Sequence, residues 1–239
     1  MMIANQLSLT SKQVHSFDRV LMDGTGKALS VLETMFGLDI ESSDSSIEIS
    51  SAIQSENLKH LGNEALYTVS SAMVGDMQGS VLLLMRSSDF NHLGKAMRPV
   101  LSLLFLSSTD VDLKLLDSQQ PAWMNSNNVM LAEDTDYHAQ MMDMLSEMAN
   151  IFIGLYAKAI YRISDLNTHY SVPEALKDPG QQAIQKILSS SEASEQLHLV
   201  IQNEFFVMDK PIKLWCLISP TEESFQDILN RIERREEYH

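Results

Sequence analysis

A chain of 239 residues with 44% hydrophobic and 21% charged side chains has the material for a sizeable core, as one large domain or two small ones. With 17 basic against 32 acidic residues the net charge is −15, which argues against nucleic acid or an anionic membrane surface as partner, because both repel it. The single cysteine, Cys216 in the run IKLWCLI, excludes an internal disulfide framework and reads as a small buried apolar side chain. The start, MMIANQLSLTSKQ, lacks the basic end and apolar segment of a secretory signal, and no apolar run has the length of a membrane span. A cytoplasmic protein is expected. The 15 methionines are read as core filling.

In chain order, Val14 to Phe36 reads as a first helix with Phe17, Leu21, Ala28, Val31, Leu32 and Met35 on its apolar positions. Gly24-Thr25-Gly26 inside it marks a break or a close helix contact, and Gly37 a stop. SSIEISSAI alternates as a strand, and residues 54–65 are ambiguous. LYTVSSAMVGDMQGSVLLLM is two strands around a turn at Gly75–Gly79. Ser87 and Ser88 can cap a helix through Leu93 and Met97, with a kink or restart at Pro99; residues 107–131 read as a connector. A long helix over Asp136–Ile163 follows, then a strand near Thr168–Val172 ending at Pro173. A short polar helix is expected around Gln181–Leu188, followed by the break SSSEASE. HLVIQNEFFVMDKPIKLWCLIS is a hairpin turning at Asp209-Lys210-Pro211. A last helix opens with Ser219 as cap, Pro220 in first position and Glu222 completing a capping box.

This order repeats. Helix, strand, hairpin and helix occur twice at an offset of roughly 130 residues, with Gly24 matched to Gly154 and Asp76 to Asp209. The expected organisation is one α+β domain over residues 1–239, with a degenerate first repeat over 14–106, a connector over 107–131 and a second repeat over 132–239. Such a duplication is expected to pack its helices on one shared, mainly antiparallel sheet around a pseudo-twofold axis.

The long helix carries the sharpest signal. Its apolar face is interrupted by Asp143, Glu147 and Asn150, whose steps of four and three put them on one stripe. Asn is a mediocre helix former because its amide competes for backbone hydrogen bonds, so Asn150 deep in a helix calls for a reason. A solvated face is the bland one. The full pattern is more specific: Asp143, three residues, Glu147, two residues, Asn150, then twenty-two residues to Pro173, within SEMANIFIGLYAKAI. It resembles the signature of the CheC/CheX/FliY family of chemotaxis phosphatases, and GTGKALSVLETMF is similar to that family's first-repeat run.

The resemblance implies the same pseudo-twofold fold and a phosphatase acting on a phosphorylated CheY-type response regulator. It implies that Asn150 positions the attacking water and that Glu147 docks the receiver's lysine. An Asn amide both donates and accepts hydrogen bonds, so it can orient water without itself titrating. Asp143 would tune or contact the partner surface and Pro173 would fix the neighbouring strand edge. No cofactor of its own is implied; magnesium would come with the receiver. Matched on the motif's glycine, the first repeat has Arg19 at the Glu position and Met22 at the Asn position, with Asp18 and Asp23 out of register, so one site is expected. His15, His60, His92, His138, His169, His198 and His239 are scattered without the spacing of a helical metal site. A non-catalytic module that docks on a receiver or on a CheD-type deamidase is the alternative, and a flagellar switch component a third, weaker reading.

Overall fold

The structure is a computed structural model that describes residues 9–51, 55, 60–61, 64–108, 133–175, 182, 184 and 196–236. Its elements are α1 (Ser11–Phe36), β1 (Ile40–Ser51), β2 (Leu66–Gly75), β3 (Gly79–Arg86), α2 (Ser87–Ser108), α3 (Glu133–Ser164), β4 (Thr168–Tyr170), β5 (Glu174–Ala175), β6 (Leu197–Val207), β7 (Lys210–Pro220) and α4 (Glu222–Glu236). The expected short helix around Gln181–Leu188 and the SSSEASE break lie almost wholly outside the described residues, as does most of the 107–131 connector.

The strands form one antiparallel sheet in the order β1-β6-β7-β3-β2-β4, with β5 also paired to β2. Exchanging the two sequence halves, β1 for β4, β2 for β6 and β3 for β7, reverses this list and leaves it unchanged. Each half therefore lends its first strand to the hairpin of the other. In the central β3–β7 ladder Leu83 faces Cys216. Those two residues are 216 − 83 = 133 apart, and the hairpin aspartates Asp76 and Asp209 are 209 − 76 = 133 apart, so the local twofold passes through the Leu83–Cys216 pair. Both are fully buried, and burial pushes the Cys216 thiol well above its ordinary value. It is a packing residue at the axis.

The sheet's two faces are unequal. Phe17, Leu21 and Leu32 of α1, Met144, Leu145, Met148 and Phe152 of α3, and buried residues of α2 and α4 join Val81, Leu83, Met85, Leu199, Ile201 and Cys216 in one core. Fully burying such side chains contributes about 1.5–3 kcal/mol each before chain entropy is set against it. The opposite face holds a smaller cluster of Leu82, Leu84, Val200, Trp215 and Leu217 with Leu61 and Ile184. Alternate residues of VLLLM thus enter different cores, which is why β3 is an unbroken apolar run.

Several expectations about ends and breaks are corrected. Helix α1 starts at Ser11 under a Thr10 capping box and runs through Gly24-Thr25-Gly26 without a break, ending at Gly37 with φ 61. Gly24 is a close-contact residue: a Cβ there would come within 3.2 Å of the Tyr156 ring on α3. Helix α2 continues through Pro99. The predicted strand to Val172 stops at Tyr170 and resumes at Glu174. The β6–β7 hairpin turns at Met208-Asp209, both with positive φ (52 and 59) as a two-residue hairpin of right-handed twist requires, while Lys210 and Pro211 already belong to β7. Ser219 and Pro220 end β7 opposite Ser80 and Gly79, so the cap of α4 is Thr221, whose hydroxyl accepts from the Ser224 amide.

Candidate functional site

Helix α3 buries Met141, Met144, Leu145, Met148, Ala149 and Phe152, and further along Ile153, Tyr156, Ala159, Ile160 and Ile163, leaving the opposite line outward. Asp143, Glu147 and Asn150 are all exposed. Among the described residues none of the three side chains has a hydrogen-bond or ion-pair partner. At 100° per residue the outward line continues through Gly154, Lys158 and Tyr161, and all six fall within an arc of roughly 80°. Lys158 and Tyr161 are exposed and Gly154 is half-buried. The structure thus brings Asp143, Glu147 and Asn150 together as the sequence spacing requires.

Pro173 stands between β4 and β5, half-buried, in the interrupted edge strand beside β2. Residue pairs Met73–Tyr170 and Ser70–Glu174 flank the gap, so the proline sits where no ladder hydrogen bond is asked of it. Both short strands also touch α3. The edge follows the helix that carries the stripe.

The buried contact between α1 and α3 holds that helix in place. Thr25 Oγ1 lies 2.9 Å from Tyr156 Oη, and both hydroxyls reach Asn203 Oδ1 of β6, at 2.8 and 3.1 Å. All three residues are buried. Burial pushes the Tyr156 phenol upward despite these hydrogen bonds, so it stays a neutral donor. At the surface, Asp23 pairs with Lys27 at 2.5 Å and with Arg162 of α3 at 2.9 Å, and the Lys27 ammonium foremost lowers its carboxyl below the ordinary value. Asp23 therefore ties the helices together and belongs to neither stripe. Sequence reasoning missed Thr25, Tyr156 and Asn203 as a unit, because pairs separated by 131 and 178 residues leave no local signal.

The same comparison of faces corrects the repeat register. Arg19 and Met22 lie 147 − 19 = 128 and 150 − 22 = 128 residues before Glu147 and Asn150, and that spacing sets Gly26, not Gly24, opposite Gly154. Burial agrees: Gln13, Ser16, Phe17, Leu21, Ala28 and Leu32 match the buried Met141, Met144, Leu145, Ala149, Tyr156 and Ile160. A Cβ at either Gly26 or Gly154 would meet no atom within 4 Å, unlike one at Gly24. Arg19 is exposed and Met22 half-buried, so the first helix presents a cation and a thioether where α3 presents a carboxylate and an amide.

On the other face of the sheet a cavity of about 310 Å³ is lined by His60, Leu61, Arg86, Gln202, Lys213 and Trp215. Its two permanent cations are already matched. Arg86 pairs with Glu64 and lies 4.9 Å over the Trp215 ring, and Lys213 pairs with Glu204 at 3.0 Å. Among the described residues both cations of this lining have an acidic partner. Among the described residues no group of three or more His, Cys, Asp or Glu could hold a metal ion, and no helix is long and apolar enough to cross a membrane.

The chain aligns with the crystal structure of Thermotoga maritima FliY with a TM-score of 0.58 at 14% identity, over 95% of this chain and 99% of that one. The fold is FliY-like. The FliM middle domain of H. pylori aligns with a TM-score of 0.56 at 11% identity, covering 93% and 99%, and FliM from a FliG–FliM complex of the same organism aligns equally well at 11%, covering 93% and 100%. At these identities the likeness shows the architecture. No family profile and no curated protein matches the sequence. The α+β, sheet-sharing fold expected from the CheC/CheX/FliY resemblance is the one found.

Proposed function

We propose that the protein is an aspartyl-phosphate phosphatase acting on a phosphorylated CheY-type receiver. One observation carries the reading: Glu147 and Asn150, three residues apart, both stand exposed and, among the described residues, unpartnered on the outer stripe of α3 in a FliY-like fold. A receiver's aspartyl phosphate already holds its magnesium and lysine, so hydrolysis needs mainly a water held in line with the scissile P–O bond. Asn150 can accept a hydrogen bond from the water's O–H at its carbonyl or donate one from its NH₂ to the water's oxygen, which orients the water toward phosphorus. Glu147, one turn earlier, carries the negative charge that would pair with the receiver's lysine and set the register of docking. A rigid helix is suited to this role, because it presents both groups without a loop's conformational freedom. Asp143 extends the acidic end of the contact, and Pro173 keeps the adjacent edge strand interrupted. Magnesium enters with the receiver.

A second reading stands beside the first, because FliM, which shares this fold, is seen in complex with FliG. In it the same face docks on a protein partner, a receiver or a CheD-type deamidase, without turnover. The test is loss of phosphate from a purified phosphorylated CheY-type receiver, with wild type and with Asn150→Ala. Acceleration by wild type alone supports the phosphatase and its water-positioning residue together. Binding without acceleration would replace it by the docking module, and equal acceleration by both proteins would remove Asn150 from the mechanism.

A further inference from the structure

We infer that the receiver-docking surface of α3 continues for three turns past the Glu147–Asn150 pair, with Gly154 as the point of closest approach and Tyr161 as its apolar anchor; this rests on the proposed receiver phosphatase. Gly154 lies in the interior of a 32-residue helix, where glycine is less stable than alanine because it has more conformational freedom to lose. Nothing within the described chain requires it, since a Cβ there would meet no atom within 4 Å. Among the described residues the space over Gly154 is open, one turn beyond Asn150 and on the same line. By contrast Gly24, the glycine the fold itself uses, meets the Tyr156 ring.

Tyr161 supplies the second observation. It stands two turns beyond Gly154 on the same stripe and is 49% exposed. At the matching position, 161 − 128 = 33, α1 carries Glu33. A large amphipathic ring loses little rotamer freedom on binding, which is why tyrosine is enriched among interface anchors. From Asp143 to Tyr161 the stripe is about 27 Å long. That matches the breadth of a standard protein interface, about 800 Å² per partner. The order along it is chemically graded: carboxylates at Asp143 and Glu147, the amide of Asn150, a bare backbone at Gly154, the Lys158 ammonium, then the phenol ring. The receiver is the occupant because the stripe is continuous with the pair that would enter its active site.

The experiment measures melting temperature and affinity for a beryllofluoride-loaded CheY-type receiver in wild type, Gly154→Ala, Tyr161→Ala and Gly26→Ala. Gly154→Ala should melt about 2–4 °C higher, as expected for replacing a helical glycine in a chain of this size, yet bind the receiver about tenfold more weakly. Tyr161→Ala should also lose about tenfold in affinity. Gly26→Ala should gain the same stability and bind as wild type does. Receiver affinity unchanged in both Gly154→Ala and Tyr161→Ala, while wild type still accelerates dephosphorylation, would overturn the extension and leave the phosphatase standing. Wild type that fails to bind any receiver overturns both. Loss of self-association in these variants, with receiver affinity intact, would assign the stripe to a second copy and overturn the extension.

Discussion

The two long helices α1 and α3 occupy equivalent places against the shared sheet, bury matching positions, and differ almost entirely in what they turn outward. Along α3 the outer line reads Asp143, Glu147, Asn150, Gly154, Lys158, Tyr161; along α1, 128 residues earlier, it reads His15, Arg19, Met22, Gly26, Ser30, Glu33. The inner lines fill the same core in both and are mainly apolar, with Gln13, Ser16 and Thr25 as buried polar exceptions on α1. The comparison teaches that fold and chemistry are held by different faces of one helix. A core position tolerates only shapes that pack, whereas an outward position is free to change unless a partner depends on it.

The comparison can be broken most sharply at Asn150. Asn150→Ala should reduce acceleration of receiver dephosphorylation by about a hundredfold or more, because losing the alignment of a reacting water costs at least that much. Circular dichroism and thermal melting should be unchanged within about 0.5 kcal/mol, the usual range for an exposed substitution. Glu147→Lys should weaken receiver binding about tenfold, read as a slower association rate with reduced salt dependence. An affinity equal to that of wild type would remove Glu147 from docking.

Smaller effects sharpen the contrast. Tyr156→Phe takes one hydroxyl from the Thr25–Tyr156–Asn203 cluster and should destabilise the fold by about 1–2 kcal/mol in denaturant titration, with turnover per folded molecule intact. A loss of turnover larger than the loss of folded protein would mean that the helix contact tunes the site as well as the fold. Smallest of all, Arg19→Ala and Met22→Ala should leave turnover at the wild-type level. A several-fold loss in either would show that the first stripe still works on the receiver.

Much of this was legible in the chain. The 3.6-residue periodicity marked α1 and α3, the glycine-bounded turn marked β2–β3, and the spacing of Asp143, Glu147 and Asn150 put them on one face, which is where they stand. Local rules failed where two rules competed. Ser219-Pro220 has the composition of a helix start, but β7 extends through both because Ser219 and Pro220 pair with Ser80 and Gly79, and His198 lies 2.8 Å from the Ser219 hydroxyl. Asp209-Lys210-Pro211 has the composition of a turn, yet the twist of a two-residue hairpin put the positive φ values on Met208 and Asp209. Gly24 and Gly26 look alike as letters, and only the neighbouring helix tells them apart, by setting Tyr156 against one and leaving the other open.

The sequence by itself determined which residues are apolar at which period, and hence the elements, the inward faces and the outward carboxylate–amide pair, because those follow from side-chain chemistry over a few turns. Only the tertiary structure decided that the halves exchange their first strands, that Leu83 and Cys216 meet at the axis, and that Thr25, Tyr156 and Asn203 close one hydrogen-bonded cluster. Those contacts join positions from 47 to 178 residues apart, and the free energy that selects them belongs to the packed whole and to no segment of it.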